Sequence, residues 1–466
     1  MSCMIFKKVS MSNTVVIFPP VSGNRNSASG VLTNRGSNGN YWSSSVNGTN
    51  AYNLNFNSSD VNPANSNNRA NGFSVRCVKY LHMYQKNNNQ QLLLDLFQAY
   101  FDARKHKGRT ANALAFAVHY EENLFELYEE IINGKYKIKP SLCFIVNKPV
   151  KREIFAADFR DRIVHHLLYN YISPYFEKDF IKDSYSCRKG KGTLYGIKRV
   201  DHFIKSCSLN YQKECWIMKL DIKGYFMSID KVILYQKLEK KIKLIKNPNF
   251  DKKLILSLLH LVIFNPSTKD CRVRGRRNDW AGLPKSKSLF FSQKEKGLPI
   301  GNLTSQLCAN IYLNEFDHFV RENLGHKYYG RYVDDMVLIH EDKNILKNSK
   351  EKIKEYLQSN LGLYIHPKKV YLQKHYAGVY FLGAFIKHRR IYIGYRTKIN
   401  FSRSVNDIFE INDRQVCSIN SYLGAMTHFN TFKLRKNIIS KIHQLPISIE
   451  NIFISENFKK VGLKNS

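Results

Sequence analysis

The stretch Tyr332-Val333-Asp334-Asp335-Met336-Val337-Leu338-Ile339 decides how the rest of the chain is read. Two adjacent carboxylates lie between an aromatic-Val pair and a run of four apolar residues. The pattern predicts a strand, a two-residue tip and a second strand, with the carboxylates at the hairpin turn. Like charges side by side in a half-buried strand repel each other and lose hydration, so such a pair needs a reason to exist. A divalent cation supplies one. Mg²⁺ is hard, seeks oxygen, and often takes one or two carboxylates plus substrate phosphates. A plain surface Asp-Asp turn is spelled with the same letters, so the metal reading requires a carboxylate from elsewhere.

Asp221 is the candidate. Cys215-Trp216-Ile217-Met218-Lys219-Leu220 is a short, largely apolar run, and it ends in Asp221-Ile222-Lys223-Gly224-Tyr225-Phe226. A buried strand would then deliver a carboxylate at its end, followed by a glycine turn and two aromatics. Carboxylates from separate strands can bridge two Mg²⁺ ions, which activate an attacking 3′-hydroxyl and steady a leaving pyrophosphate.

Composition points the same way. The chain has 73 Lys+Arg against 37 Asp+Glu, a formal charge of +36. Residues 1–79 hold seven basic and one acidic residue, so the other 387 carry +30 of that charge. Such an excess is the footprint of a polyphosphate partner, catalytic or not. The 57 Tyr and Phe residues are interleaved with the basic ones, which suits base stacking, although most belong to a core. The cysteines are scattered without a Cys-x-x-Cys, which argues against a zinc ribbon or redox pair. An odd, unpaired set suits a reducing cytosol, so a cytoplasmic location is expected. The longest apolar stretch, residues 254–264, is too short to span a bilayer, so no membrane partner is expected.

The chain changes character near residue 80. Residues 24–72 contain 15 Asn in 49 positions, with much Ser and Gly. This composition predicts an irregular or poorly ordered segment. Beyond it, helical spacing appears over residues 92–101 and 124–132, with Gly134 as the stop signal of the second helix. Residues 402–443 are basic and amphipathic and read as further helices.

Taken in order, these residues resemble the reverse transcriptases of the bacterial, non-retroviral type, over about 84–386. Lys148-Pro149-Val150-Lys151-Arg152-Glu153-Ile154 leads into Phe159-Arg160-Asp161-Arg162, resembling the fingers motif. Asp183-Ser184-Tyr185-Ser186-Cys187-Arg188-Lys189-Gly190 resembles the next one, and Asp221 to Phe226 the first catalytic motif. Gly297-Leu298-Pro299-Ile300-Gly301-Asn302-Leu303-Thr304-Ser305-Gln306 resembles the nucleotide-pocket motif, and Asp334-Asp335 the second catalytic motif. Leu363 to Lys369 and Tyr380-Phe381-Leu382-Gly383 resemble the last two. Most of the family has Gln at the position of Ile300 and Pro at that of Gln306. The form present here resembles the reverse transcriptases of diversity-generating retroelements.

That resemblance implies an α+β right-hand polymerase fold: helical fingers within 80–220, an antiparallel-sheet palm within 221–390 and a helical thumb over 391–466. It implies an error-prone RNA-directed DNA polymerase that copies a template-repeat RNA into cDNA for mutagenic retrohoming. The implied partners are template RNA, cDNA or primer, dNTPs and a small basic accessory protein. Asp221, Asp334 and Asp335, with the Ile222 carbonyl, would hold two Mg²⁺, with Mn²⁺ as the alternative ion. Lys369 would protonate the leaving pyrophosphate. Phe226 would exclude a ribose 2′-hydroxyl, and Ile222, Ile300, Gly301 and Gln306 would shape the dNTP site. Lys148 and Arg152 would clamp the triphosphate. Arg160, Arg162, Arg188, Lys189, Tyr332 and Gly383 would contact nucleic acid, with Arg160 and Arg162 alternatively pairing with Asp158 and Asp161.

An Ile in place of a pocket Gln also has a physical consequence. It constrains the incoming nucleotide by shape alone, and loss of one oriented polar contact costs discrimination worth about 1–3 kcal/mol. The Asn-rich segment resembles the end of a retroelement target protein with a C-type-lectin-like fold. Asn codons begin with two adenines, so a run of Asn is what a template for adenine mutagenesis looks like when translated. Residues 1–79 are therefore expected to be template-repeat sequence that serves no role in the enzyme, with a start near Met83. The 83 residues after Gly383 leave room for a thumb but not for an endonuclease or RNase H domain. A defence-type or group II intron-type polymerase, or a catalytically silent RNA-binding relative, remain as alternatives.

Overall fold

The computed structural model describes residues 24–25, 29, 31–33, 37–57, 61–69, 71, 89–105, 107–147, 150–247, 250–406, 413–440, 452–455 and 457–463. The chain divides into two units, Met1–Asn87 and Asn88–Ser466.

In the first unit the expectation of an irregular segment needs correcting. Gly39–Asn47, Asn50–Phe56 and Val61–Asn68 form a three-stranded antiparallel sheet. Asn is a poor strand former by propensity, but here the side-chain amides pair across the sheet. Asn55 Nδ2 donates to Asn40 Oδ1 at 2.6 Å, Asn53 Nδ2 to the same oxygen at 3.3 Å, and Asn67 Nδ2 to Asn53 Oδ1 at 2.9 Å. Polar side chains that satisfy one another remove the main cost of placing them in a sheet.

The second unit is α+β, as expected. Its centre is a four-stranded antiparallel sheet in the order Tyr328–Tyr332, Asp335–His340, Trp216–Asp221, Tyr371–Lys374. Met336 to Ile339 are buried, as are Ile217, Met218 and Leu220. A strand this apolar on both faces must be covered twice. The Thr193–Cys207 helix covers one face through Ile197, Val200, Phe203 and Ile204, which pack on Val337 and Ile339. The Lys343–Leu361 helix contacts the Asp335–His340 and Trp216–Asp221 strands.

Ahead of the sheet lie the helices Asn89–Arg104, Tyr120–Ile132 and Phe159–Glu177. Gly134, at φ +66°, follows the Tyr120–Ile132 helix as the sequence predicted. A small sheet joins Arg152–Ala156 to Leu142–Val146, which also pairs in parallel with Arg272–Val273. At the C-terminal end Tyr395–Asn406, Asp413–Met426 and Phe432–Ile439 are helices around their own apolar cluster. The hairpin Ile452–Ile454 with Val461–Leu463 was not foreseen. Among the described residues, no helix is long and apolar enough to cross a membrane.

Candidate active site

The hairpin exists, shifted by one residue. Tyr332 pairs with Asp335, so the two-residue tip is Val333-Asp334 and Asp335 opens the second strand. The reason is cross-strand register. Asp335 sits directly opposite Asp221, the last residue of the neighbouring strand. Directly opposed residues on antiparallel strands have Cβ atoms about 4.5–5.5 Å apart, where like charges repel. The Asp334 carbonyl accepts from the Ile222 amide at 3.3 Å, which joins the tip to the segment after Asp221. All three carboxylates and Ile222 are thereby gathered at one end of the sheet.

The electrostatics follow from that crowding. Burial, then the charges of Asp221 and Asp335, push the Asp334 carboxyl up to about 6. Burial also raises Asp335, against the opposing pull of Lys219, whose Nζ lies 3.1 Å from Asp335 Oδ1. Lys369 Nζ lies 2.8 Å from Asp221 Oδ2. Burial works against the Lys369 ammonium, but its hydrogen bond to Asp221 and the charges of Asp221, Asp334 and Asp335 raise it overall. Two ammonium groups thus offset part of the charge of three carboxylates.

Among the described residues, no three His, Cys, Asp or Glu side chains converge tightly enough to hold a metal ion by themselves. The carboxylates form a partial ligand set of hard oxygens. Such a set fits Mg²⁺, which usually keeps waters and substrate phosphates in its shell.

The nucleotide-pocket motif threads between two elements. Gly297 N donates to the Ile229 carbonyl at 2.9 Å and Leu298 N to that of Phe226 at 2.8 Å. On the other side Phe155 N donates to the Ile300 carbonyl at 2.8 Å, and Ala157 N to Asn302 Oδ1 at 3.1 Å. At Gly301, φ is +132°, and a Cβ would lie 2.9 Å from the Phe155 carbonyl oxygen, so only glycine fits. This lacing brings Ile300 and Phe226 onto one apolar cluster with Cys143, Phe155, Met227 and Leu289. Gln306 is exposed on the Leu303–Tyr312 helix. Arg152 is exposed at the start of its strand, and its charge lowers the otherwise burial-raised Tyr332 hydroxyl, so the two are neighbours. Lys148 lies outside the described residues.

The other basic candidates divide. Arg160 is buried and faces inward: it pairs with Glu130, donates to the Lys137 carbonyl at 3.2 Å and lies over the Tyr136 ring. Of the two expectations for Arg160, internal pairing is the one observed, although its main partner is Glu130; Asp161 Oδ1 is 3.8 Å away. Arg188 is likewise a staple, to Glu177 Oε2 at 2.8 Å and to the Ile181 and Ser184 carbonyls at 2.7 and 3.0 Å. A sequence shows a charge but not its partner. Arg162 is half-buried and donates to the Ala157 carbonyl at 3.0 Å. Lys189 is exposed. Gly383, at φ +85°, closes the turn between Val379–Phe381 and Ala384–Lys387.

One pair escaped the sequence reading. Arg331 and Asp317 are fully buried, with Nε–Oδ1 at 2.7 Å and Nη2–Oδ2 at 2.6 Å. Arg331 Nη1 also donates to the Val333 carbonyl at 2.9 Å, gripping the tip that carries Asp334. A lone Arg in an otherwise aromatic strand was the available signal, since a buried guanidinium requires a carboxylate.

Comparison with known proteins agrees with this geometry. A family model described as reverse transcriptase (RNA-dependent DNA polymerase) matches residues 146–386, just over half of the chain. Protein YkfC of Escherichia coli (strain K12) is 24% identical over 291 residues, covering 55% of this chain and 69% of that protein. Among solved structures, C-terminally truncated apo telomerase from Candida tropicalis has a TM-score of 0.40 at 15% identity and covers 55% of both chains. Telomerase from Candida albicans in complex with a fragment of telomeric RNA has a TM-score of 0.40 at 12% identity, covering 72% of this chain and 60% of that one. The chain therefore spans little more than half the length of these telomerases. With opposed carboxylates at the end of an antiparallel sheet and a family match that includes them all, the chain belongs to the reverse transcriptase (RNA-dependent DNA polymerase) family.

Proposed function

We propose that this protein is an error-prone RNA-directed DNA polymerase of the diversity-generating retroelement type, copying a template-repeat RNA into cDNA for mutagenic retrohoming. The observation that carries the polymerase reading is the cross-strand register of Asp221 with Asp335, with Asp334 at the adjoining tip. In this reading 80–220 serve as fingers, 221–390 as palm and 391–466 as thumb. A small basic protein serves as accessory partner.

Asp221, Asp334, Asp335 and the Ile222 carbonyl are the oxygen donors for two Mg²⁺. When bound, the ions supply Lewis acidity to the primer 3′-hydroxyl and charge neutralisation to the leaving pyrophosphate. Lys369, already hydrogen-bonded to Asp221, donates a proton to that leaving group. Lys148 and Arg152 bind the triphosphate, as point charge and fork respectively. Phe226 blocks the space that a 2′-hydroxyl needs. Arg162, Lys189, Tyr332 and Gly383 lie along the nucleic-acid path.

The error-prone part of the reading rests on Ile300. Its side chain packs on the same apolar cluster as Phe226 and has no hydrogen-bonding group to offer a base or sugar. Ile300→Gln should restore an oriented contact and lower misincorporation opposite template adenine by about 5- to 150-fold, the equivalent of about 1–3 kcal/mol. Sequencing of cDNA made on a defined RNA template measures this. An unchanged adenine error rate in a variant of normal synthesis rate would reject the assignment.

A further inference from the structure

Residues 271–296, inserted between the Lys252–Phe264 helix and the nucleotide-pocket motif, hold eight Lys or Arg against two acidic residues. Arg272 through Asp279 are all exposed. Among the described residues, none of these eight basic groups is in an ion pair. The half-buried and buried guanidiniums of Arg160, Arg188, Arg199 and Arg331 are all matched to carboxylates. Large aromatics are exposed beside them: Phe290 at 42% and Phe291 at 61%. Lys285 lies over the Phe291 ring at 5.4 Å.

The segment is held in a defined place. Glu153, 1% exposed, accepts from Trp280 Nε1 at 2.7 Å, Ser288 Oγ at 2.8 Å and the Leu289 amide at 2.6 Å. Arg272 and Arg274 donate their amides to the Ser141 and Cys143 carbonyls, both at 2.8 Å. Leu289 and Trp280 join the cluster that bears Phe226 and Ile300. A buried carboxylate with no cation partner is costly, and its three donors all come from this segment. Arg274 lies over the Phe144 ring at 4.2 Å and Phe290 packs on Phe155 at 5.4 Å, so both are positioned while their outer faces stay exposed. An anchored backbone, guanidiniums outside any ion pair and exposed ring faces are what tracking and stacking of a single strand require.

We propose that residues 271–296 form a docking surface for the single-stranded template RNA on its way to the nucleotide site, with Arg272, Arg274, Arg276 and Arg277 on phosphates and Phe290 and Phe291 under bases. The inference rests on the polymerase reading for its direction of travel, but its test does not need synthesis. Full-length protein carrying all four Arg→Ala changes is titrated against fluorescent oligouridylate and oligodeoxythymidylate over a series of salt concentrations. Loss of four phosphate contacts should flatten the slope of log affinity against log salt by about 3, since each contact on a single strand contributes about 0.7. The four Arg→Lys changes should keep the slope. Weakening of oligouridylate binding supports the proposal, and a loss confined to oligodeoxythymidylate overturns it. The proposal is overturned if the Ala variant binds both with the wild-type slope. It is equally overturned if Lys240, Lys347, Lys352 and Lys354 changed together to Ala flatten the slope as much. Asp334→Asn, inactive in synthesis, should bind with the wild-type slope; retained synthesis in that variant rejects the catalytic reading without touching this one.

Discussion

Val333 carries the strain of the site. Its φ is +56°, a conformation that a β-branched residue rarely adopts and that costs on the order of 1–2 kcal/mol. Arg331 holds the Val333 carbonyl, and Asp317 holds Arg331. Asp317→Asn leaves a guanidinium buried without its counter-charge, a loss of about 3–5 kcal/mol, to be read as a lowered denaturation midpoint. Replacing both partners, as Asp317→Leu with Arg331→Met, should recover most of that stability. The Val333 tip would still lack its donor, so DNA synthesis should remain depressed. Full recovery of synthesis in the double variant would assign the pair a purely structural role.

At the scale of elements, the strand ends and the lacing between them decide what the site can select. The Tyr225–Ser228 turn of helix is seated by Leu298 N on the Phe226 carbonyl, and Gly224 leaves room for the Ser286 carbonyl, which a Cβ would approach to 2.5 Å. The Phe226 ring meets Tyr225 edge-on, with centroids 5.7 Å apart, and packs on the cluster of Cys143, Phe155, Met227 and Leu289. Phe226→Ala should raise ribonucleotide incorporation relative to deoxynucleotide by about 10- to 200-fold, the range for loss of a close apolar fit. Competition between the two sugars in primer extension measures it, and unchanged sugar discrimination would remove Phe226 from that role. The elements themselves were largely legible. An apolar run ending in Asp221 and another beginning after Asp335 marked the two catalytic strands, and the Gly134 stop marked a helix end. The register of Asp335 opposite Asp221 was not legible, because it depends on which residue of Val333-Asp334-Asp335 takes the turn.

At the scale of the whole molecule, what the sequence hid are contacts between distant residues. Glu153 meets Trp280, Ser288 and Leu289 across more than a hundred positions, and Arg160 meets Glu130 from another helix. Charge and spacing identify a basic chain but not which cations are already neutralised. The Asn-rich sheet was missed for a related reason, since propensity counts residues one at a time and its stabilising amide pairs lie 13 to 15 positions apart. The central claim concerns three carboxylates from two strand ends acting as one metal-dependent site. Its most direct measurement is incorporation of labelled dNTP on a primed RNA template over a Mg²⁺ titration, by the wild-type protein and by Asp334→Asn. Synthesis that requires Mg²⁺ and falls by about 10³-fold or more in the variant, equivalent to several kcal/mol of lost transition-state stabilisation, is the expected result. Synthesis by Asp334→Asn at the wild-type rate and with the wild-type Mg²⁺ dependence would contradict it.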